Sequence, residues 1–148
     1  MTIHRFVASL LCRQPALRPV QALVTHTWWA ALVVLVVNDH LLKAAASGHP
    51  TAGLFTGKLS DIAGMVVAPA LLAALLQGRS RRGLLGAHLA VGVVFAAINL
   101  SATAAAAWTS WLALFGVSWV ITVDPTDLLT LPALGLGWVA LVPAMRRA

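Results

Sequence analysis

Acidic residues are almost missing from this 148-residue chain. There is no Glu, and the only acids are Asp39, Asp61, Asp124 and Asp127. Charged residues of both signs make up 9% of the sequence, against about 25% in ordinary soluble domains. That scarcity excludes a soluble domain with a solvated charged surface. Cysteine is present once, as Cys12, which excludes an intrachain disulfide and any cysteine-based metal site. The net charge of +6 arises from the lack of acids. No basic face with interleaved aromatics exists, so nucleic acid is not an expected partner.

Hydrophobic residues are what the chain does have, at 60% of the sequence. Apolar runs approaching 20 residues recur, long enough to cross a ~30 Å hydrocarbon core. The expected fold is all-α, an integral membrane four-helix bundle whose partner is the lipid bilayer. The spans are predicted at Val20–Leu42, Thr56–Leu76, Gly83–Ala104 and Pro125–Met145. Residues 1–18 read as a cytoplasmic or interfacial segment and residues 19–148 as a single four-span domain. Residues 105–123 are too apolar for a plain loop. They are expected to extend the third helix, to lie at the interface or to dip in as a re-entrant segment, with Trp108, Trp111 and Trp119 suited to an interfacial belt.

Orientation follows from the cations. Arg5, Arg13 and Arg18 precede the first span, Arg79, Arg81 and Arg82 separate the second and third, and Arg146 and Arg147 follow the fourth. Four spans bring all of these to one side and leave Lys43 and Lys58 on the other. The positive-inside rule then places both termini in the cytoplasm. Helix contacts in lipid favour small residues, and Gly64/Ala68, Gly92/Ala96 and Ala133/Gly137 each supply a small pair one turn apart. These faces suit packing within the chain, a second copy or another membrane partner. Pro69 is expected to kink the second helix.

On this topology every acid falls in the outer half. Asp61 lies roughly 22 Å from the cytoplasmic end of its helix, and Asn99 about as far along the third. Asn38, Asp39 and His40 close the first span. An ionisable group in lipid costs about 2.5–3.5 kcal/mol, so it normally faces protein or water. The candidate ligand-binding layer is therefore Asn38, Asp39, His40, Lys43, Lys58, Ser60, Asp61, Asn99, Asp124 and Asp127. The expected ligand is a small polar molecule, a proton or a cation.

Each residue also has a structural reading. Asp39 and Lys43 stand at the i, i+4 spacing of a helical salt bridge, and Lys58 sits one turn before Asp61. In "DPTD", Asp124 suits an N-cap, Pro125 the first helical position and Asp127 the third. Asn38 and Asn99 can simply bond between helices. A purely structural or assembly protein, braced by Asp–Lys pairs, is thus the alternative to a binding site.

Asp39, His40, His49, Asp61 and Asp127 have metal-ligand chemistry, but no H-x-x-x-H or H-E-x-x-H spacing supports a site, and no metal is expected. Ser60, His40 and an Asp lack any G-x-S-x-G context for a nucleophile, and no catalytic residue is identified. Two inner-half imidazoles, His26 and His88, give a third alternative. Facing histidines on two helices can ligate a b-type haem for electron transfer. No other cofactor is indicated.

The blocks "NDHLLK", "TGKLSDIAGMVVAP" and "DPTDLLTLP" resemble an uncharacterised family of small bacterial multi-spanning membrane proteins. Asn38, Asp39, His40, Lys43, Gly57, Lys58, Leu59, Ser60, Asp61, Gly64, Asp124 and Asp127 carry the likeness. It implies a bacterial inner-membrane protein and implies no activity.

Overall fold

Four helices are long and apolar enough to cross a membrane: His26–Ala45, Thr51–Leu75, Arg81–Leu100 and Pro125–Met145. They are called the first to fourth long helices below. A computed structural model describes residues 17–45, 50–118 and 121–146, which contain no strand. Expectations that rest on Arg5, Cys12, Arg13, His49, Trp119 and Arg147 lie outside the described residues, as does nearly all of the 1–18 segment.

The first long helix starts later than its apolar run. Thr25 is extended (φ −82°, ψ 146°), and its hydroxyl accepts the Trp28 N–H. That is an N-cap, and it separates the short turn Val20–Leu23 from the helix proper. His26 is therefore the first helical residue and not one well inside the span. The third helix also ends early. Ser101 is extended and caps a separate helix, Ala102–Ala113, through the Ala104 N–H. The predicted third span to Ala104 is shortened to Leu100 for that reason. The second helix starts earlier than predicted and runs over Pro50–Leu75, with Pro at a first helical position that suits it. Gly53 and Gly57 fail to stop it. The fourth helix keeps its predicted bounds but opens as a 3₁₀ segment, Pro125–Thr130, before the α-helix Ala133–Met145.

The second helix is central and packs against the first, third and fourth. The apolar core lies at one end, built from Leu17, Trp28, Ala70, Leu84, Leu141 and Met145 among others. At that end the Leu17 N–H donates to the Arg79 carbonyl (2.9 Å) and the Arg18 N–H to the Met145 carbonyl (3.0 Å). The Trp28 indole donates to the Val67 carbonyl at 3.2 Å. The described arginines fall at or beside this end, and both lysines at the other.

Small residues set the closest helix approach. A Cβ on Gly137 would stand 3.2 Å from Val66 Cα and 3.5 Å from Met65 O. Met65 is four residues before Pro69, which has no N–H to donate to it. The expected Ala133/Gly137 pair thus lies at the interface of the second and fourth helices, with Ala133 itself buried. Gly92 approaches Leu134, 3.0 Å from its would-be Cβ, whereas Gly64 meets nothing within 4 Å. The Gly64/Ala68 pair is not used at its glycine within the chain.

Candidate functional site: a polar layer at the lysine end

The stretch "NDHLL", residues 38–42, is a π turn: the Lys43 N–H donates to the Asn38 carbonyl five residues back. π turns are rare and recur at functional sites. A wider turn brings neighbouring residues closer in angle than the ~100° of an α-helix. Asn38 and Asp39 are adjacent in sequence, and both reach Ser60 of the second helix.

The contacts form one chain. Asn38 is fully buried, and its Nδ2 donates to the Thr56 carbonyl (2.6 Å) and to Ser60 Oγ (2.5 Å). Ser60 Oγ in turn donates to Asp39 Oδ1. The same oxygen pairs with Lys43 Nζ at 2.7 Å, as the i, i+4 spacing predicted.

A second group joins the second helix to the start of the fourth. Lys58 Nζ donates to Asp127 Oδ1, and to Thr126 Oγ1 at 2.7 Å. Its distance to Asp124 Oδ2 is 3.7 Å. Asp124 is the expected N-cap: its Oδ1 accepts the Thr126 hydroxyl (2.7 Å) and the Thr126 N–H (2.9 Å). These Thr126 bonds, the hydroxyl's foremost, hold the Asp124 carboxyl below its ordinary range, with Lys58 adding to the effect. Thr126 thus bridges cap and lysine. It stood inside "DPTD" but was not among the expected site residues; its hydroxyl between two acids was the signal. Thr56 was also missed, since it contributes a backbone carbonyl that no side-chain pattern reveals.

Asp61 lies between the two groups. It is the twelfth residue of the 26-residue second helix, more central than a place at the start of the span. Lys58 is not its salt-bridge partner, having gone to the fourth helix. The Asp61 carboxyl lies close enough to Asp127 for their charges to repel, and it feels the opposite charges of Lys43 and Lys58. Its Oδ2 is buried and has no hydrogen-bond partner, and the same holds for Asn38 Oδ1.

The other expected residues divide. His40 is exposed at the protein surface, next to Asp39 in sequence, and makes no hydrogen bond or ion pair with the described residues of the polar layer. Asn99 is buried, but its Nδ2 donates to the Phe95 carbonyl of its own helix at 3.0 Å. His26 is exposed at the start of the first helix. His88 is buried on the third, with Nδ1 2.9 Å from the Leu84 carbonyl and its ring edge-on to Trp138 at 5.0 Å. The second helix packs against both of their helices, and no contact joins the two imidazoles. Among the described residues no three His, Cys, Asp or Glu side chains converge as a metal site. Comparison with protein-family models, curated proteins and solved structures finds no match to this chain.

Proposed function

We propose that the chain is a membrane protein whose polar layer binds or passes a proton or another small cation, with Asp61 as the group that takes it. The observation that carries this reading is the buried, unpartnered Oδ2 of Asp61 in a layer whose two lysines are both engaged by other carboxylates. An ionised oxygen without a donor is costly in a low-dielectric setting, and a second carboxyl beside it adds repulsion. A proton or a cation is the chemistry that relieves both. Four carboxylates face two ammonium groups here, so the layer favours positive ligands over anions. Asn38, Asp39, Ser60 and Lys43 would hold the first helix against the site, and Lys58 and Asp127 the fourth. His40, Asn99 and Asp124 would line its margins.

The membrane placement belongs to the same proposal. The arginine end faces the cytoplasm under the positive-inside rule, so both termini are cytoplasmic and the polar layer faces outward. The inner membrane of a bacterium follows from the resemblance of the three sequence blocks. A second copy or another membrane protein would meet the chain through the Gly64/Ala68 face. In a Cys12→Ser background, Thr122→Cys should react with a membrane-impermeant maleimide from outside intact cells; protection there would reverse the orientation.

The functional test uses purified protein in liposomes. Proton flux is read with an internal pH dye and sodium or potassium binding by calorimetry. Asp61→Asn should abolish the flux or binding seen in the unaltered protein, and Asp39→Asn should weaken it. If both variants fold normally and retain every binding and transport property, the proposal fails. A bracing role is the second reading, favoured by Asp39, Asp124 and Asp127 each having a partner. It expects Asp39→Lys with Lys43→Asp to preserve both stability and function.

A further inference from the structure

The segment between the third and fourth long helices has both its ends at the lysine end of the protein. The third helix leaves the arginine end at Arg81 and the fourth returns to it at Met145. Residues 101–124 therefore start and finish on one membrane surface and cannot cross. Their helix, Ala102–Ala113, has 12 residues, or about 18 Å, against a hydrocarbon core of ~30 Å.

Two courses are left for it, along the surface or into the bilayer and back. The return leg decides between them. Val117, Ser118 and Ile121–Asp124 form neither helix nor strand. Such backbone would lie in hydrocarbon if the helix dipped inward, where each unsatisfied peptide group costs several kcal/mol, and lipid-exposed irregular loops do not occur there. The helix also ends in a surface-type stop. Gly116 has φ +75°, and the Val117 N–H donates to the Leu112 carbonyl at 3.2 Å. That is a Schellman motif with Gly in its preferred place.

Water is no better an environment. An isolated helix of under about 12–15 residues is marginal even when rich in Ala. Of the described residues in this helix only Ala105 is buried. Trp108, Trp111 and Phe115 stack along it with ring centroids 4.9 and 5.1 Å apart, and Trp111 and Phe115 remain 48% and 68% exposed. Indoles with an apolar body and an N–H donor partition to the headgroup boundary. No charged residue lies between Ser101 and Val123 to pull the helix off the membrane.

We propose that Ala102–Ala113 lies in the plane of the membrane at the polar-layer end. Its Trp108–Trp111–Phe115 ladder sits at the boundary of headgroups and acyl chains, and its partner is the lipid surface. The helix placement rests on the membrane reading proposed above and is independent of any ligand at Asp61.

The test places single spin labels at Thr103, Ala106, Ser110 and Ala113 through Cys substitutions in the Cys12→Ser chain, reconstituted in phosphatidylcholine–phosphatidylglycerol vesicles. Depth is read from relaxation by oxygen against a water-soluble nickel chelate. All four labels should lie within ~10 Å of the phosphate plane, with no trend along the helix. A steady deepening from Thr103 to Ala113, ending near the bilayer centre, would establish a re-entrant helix and overturn the proposal. Labels fully open to the nickel chelate and shielded from oxygen would place the helix in water and overturn it equally. Should one substitution disturb folding, the difference between the unaltered chain and its Trp111→Phe variant in quenching by lipids brominated at shallow and deep acyl positions reports the depth of Trp111 and gives the same discrimination.

Discussion

Replacing Gly137 by Ala places a methyl group against backbone that cannot rotate aside. The new Cβ would lie 3.2 Å from Val66 Cα, 3.5 Å from Met65 O and 3.7 Å from Val66 O. The second and fourth helices must then part by a few tenths of an ångström. That loosens the contacts of Ala63, Val67, Ala133 and Leu141, all buried. Overpacking of this kind costs about 1–3 kcal/mol. Against it stands the helix propensity of Ala over Gly, worth about 1 kcal/mol. Gly135 separates the two effects. It lies on the same helix and meets nothing within 4 Å, so Gly135→Ala carries the propensity gain without the clash. Gly135→Ala should stabilise by up to ~1 kcal/mol, and Gly137→Ala should fall below it by ~1–3 kcal/mol. Reversible unfolding in bicelles, followed by helical circular dichroism, measures both variants under one condition. Equal effects of the two substitutions would refute the close approach at Gly137, and with it the packing assigned to the second and fourth helices.

Lys58 should couple the same two helices at their other end. Its side chain and that of Asp127 are each about one-fifth exposed, at 21% and 20%. A Lys58→Met/Asp127→Asn double-mutant cycle should give about 1–2 kcal/mol, above the usual 0.2–1 kcal/mol of exposed pairs; additivity would mean that the contact does not hold the helices. Gln77 stands at φ +52° where a Schellman motif prefers Gly, with the Gly78 N–H on the Ala73 carbonyl at 2.9 Å. Gln77→Gly should raise stability by about 0.5–1 kcal/mol, the left-handed penalty less the entropy of Gly, and a loss would show that the turn is not left-handed. Asp124 has its carboxyl lowered from 3.8, chiefly by the Thr126 hydroxyl. The folded value lies below the unfolded one, so its support of the helix start is complete above the unfolded value and lost as pH falls through the folded one. Carbon-detected NMR of labelled Asp should show Asp124 titrating below 3.8 and moving upward in Thr126→Val; an unmoved titration would remove the cap.

Local chemistry was the legible part of this chain. Asp124 and Pro125 announce a helix start through adjacent residue types, and Asp39 and Lys43 announce a pair through spacing alone. The segregation of Arg from Lys needs only a count of segments. What escaped was anything fixed by competition between identical signals. Thr25 and Ser101 each sit in an apolar run, where a hydroxyl can either ride inside a helix or cap a new one. Both cap, and two spans change length as a result. The π turn at Asn38 also left no mark in sequence, and without it the rotation of Asn38 and Asp39 toward Ser60 was not deducible. Lys58 has an acid three residues away and takes partners 66 and 69 positions further along the chain. Only helix rotation decides that choice, and rotation is not written in composition or period.

The destination of Lys58 bears directly on what Asp61 is for. A chain built only to brace its helices would spend Lys58 on Asp61, one turn away, and leave Asp124 and Asp127 to the positive end of the fourth helix, which suits carboxylates unaided. The arrangement found is the opposite. The acids with a favourable helix end also receive the lysine, and the acid near the middle of a membrane-length helix receives none within ion-pair distance. Lys43 is likewise held by Asp39 on its own helix. Asp39, Asp124 and Asp127 thereby each have a lysine within ion-pair distance, and the one carboxyl without a lysine is the one near the middle of a membrane-length helix, where an uncompensated charge is costly. That inversion is what favours the proposed ligand layer over a set of braces, and Asp61 is the residue on which the two readings divide.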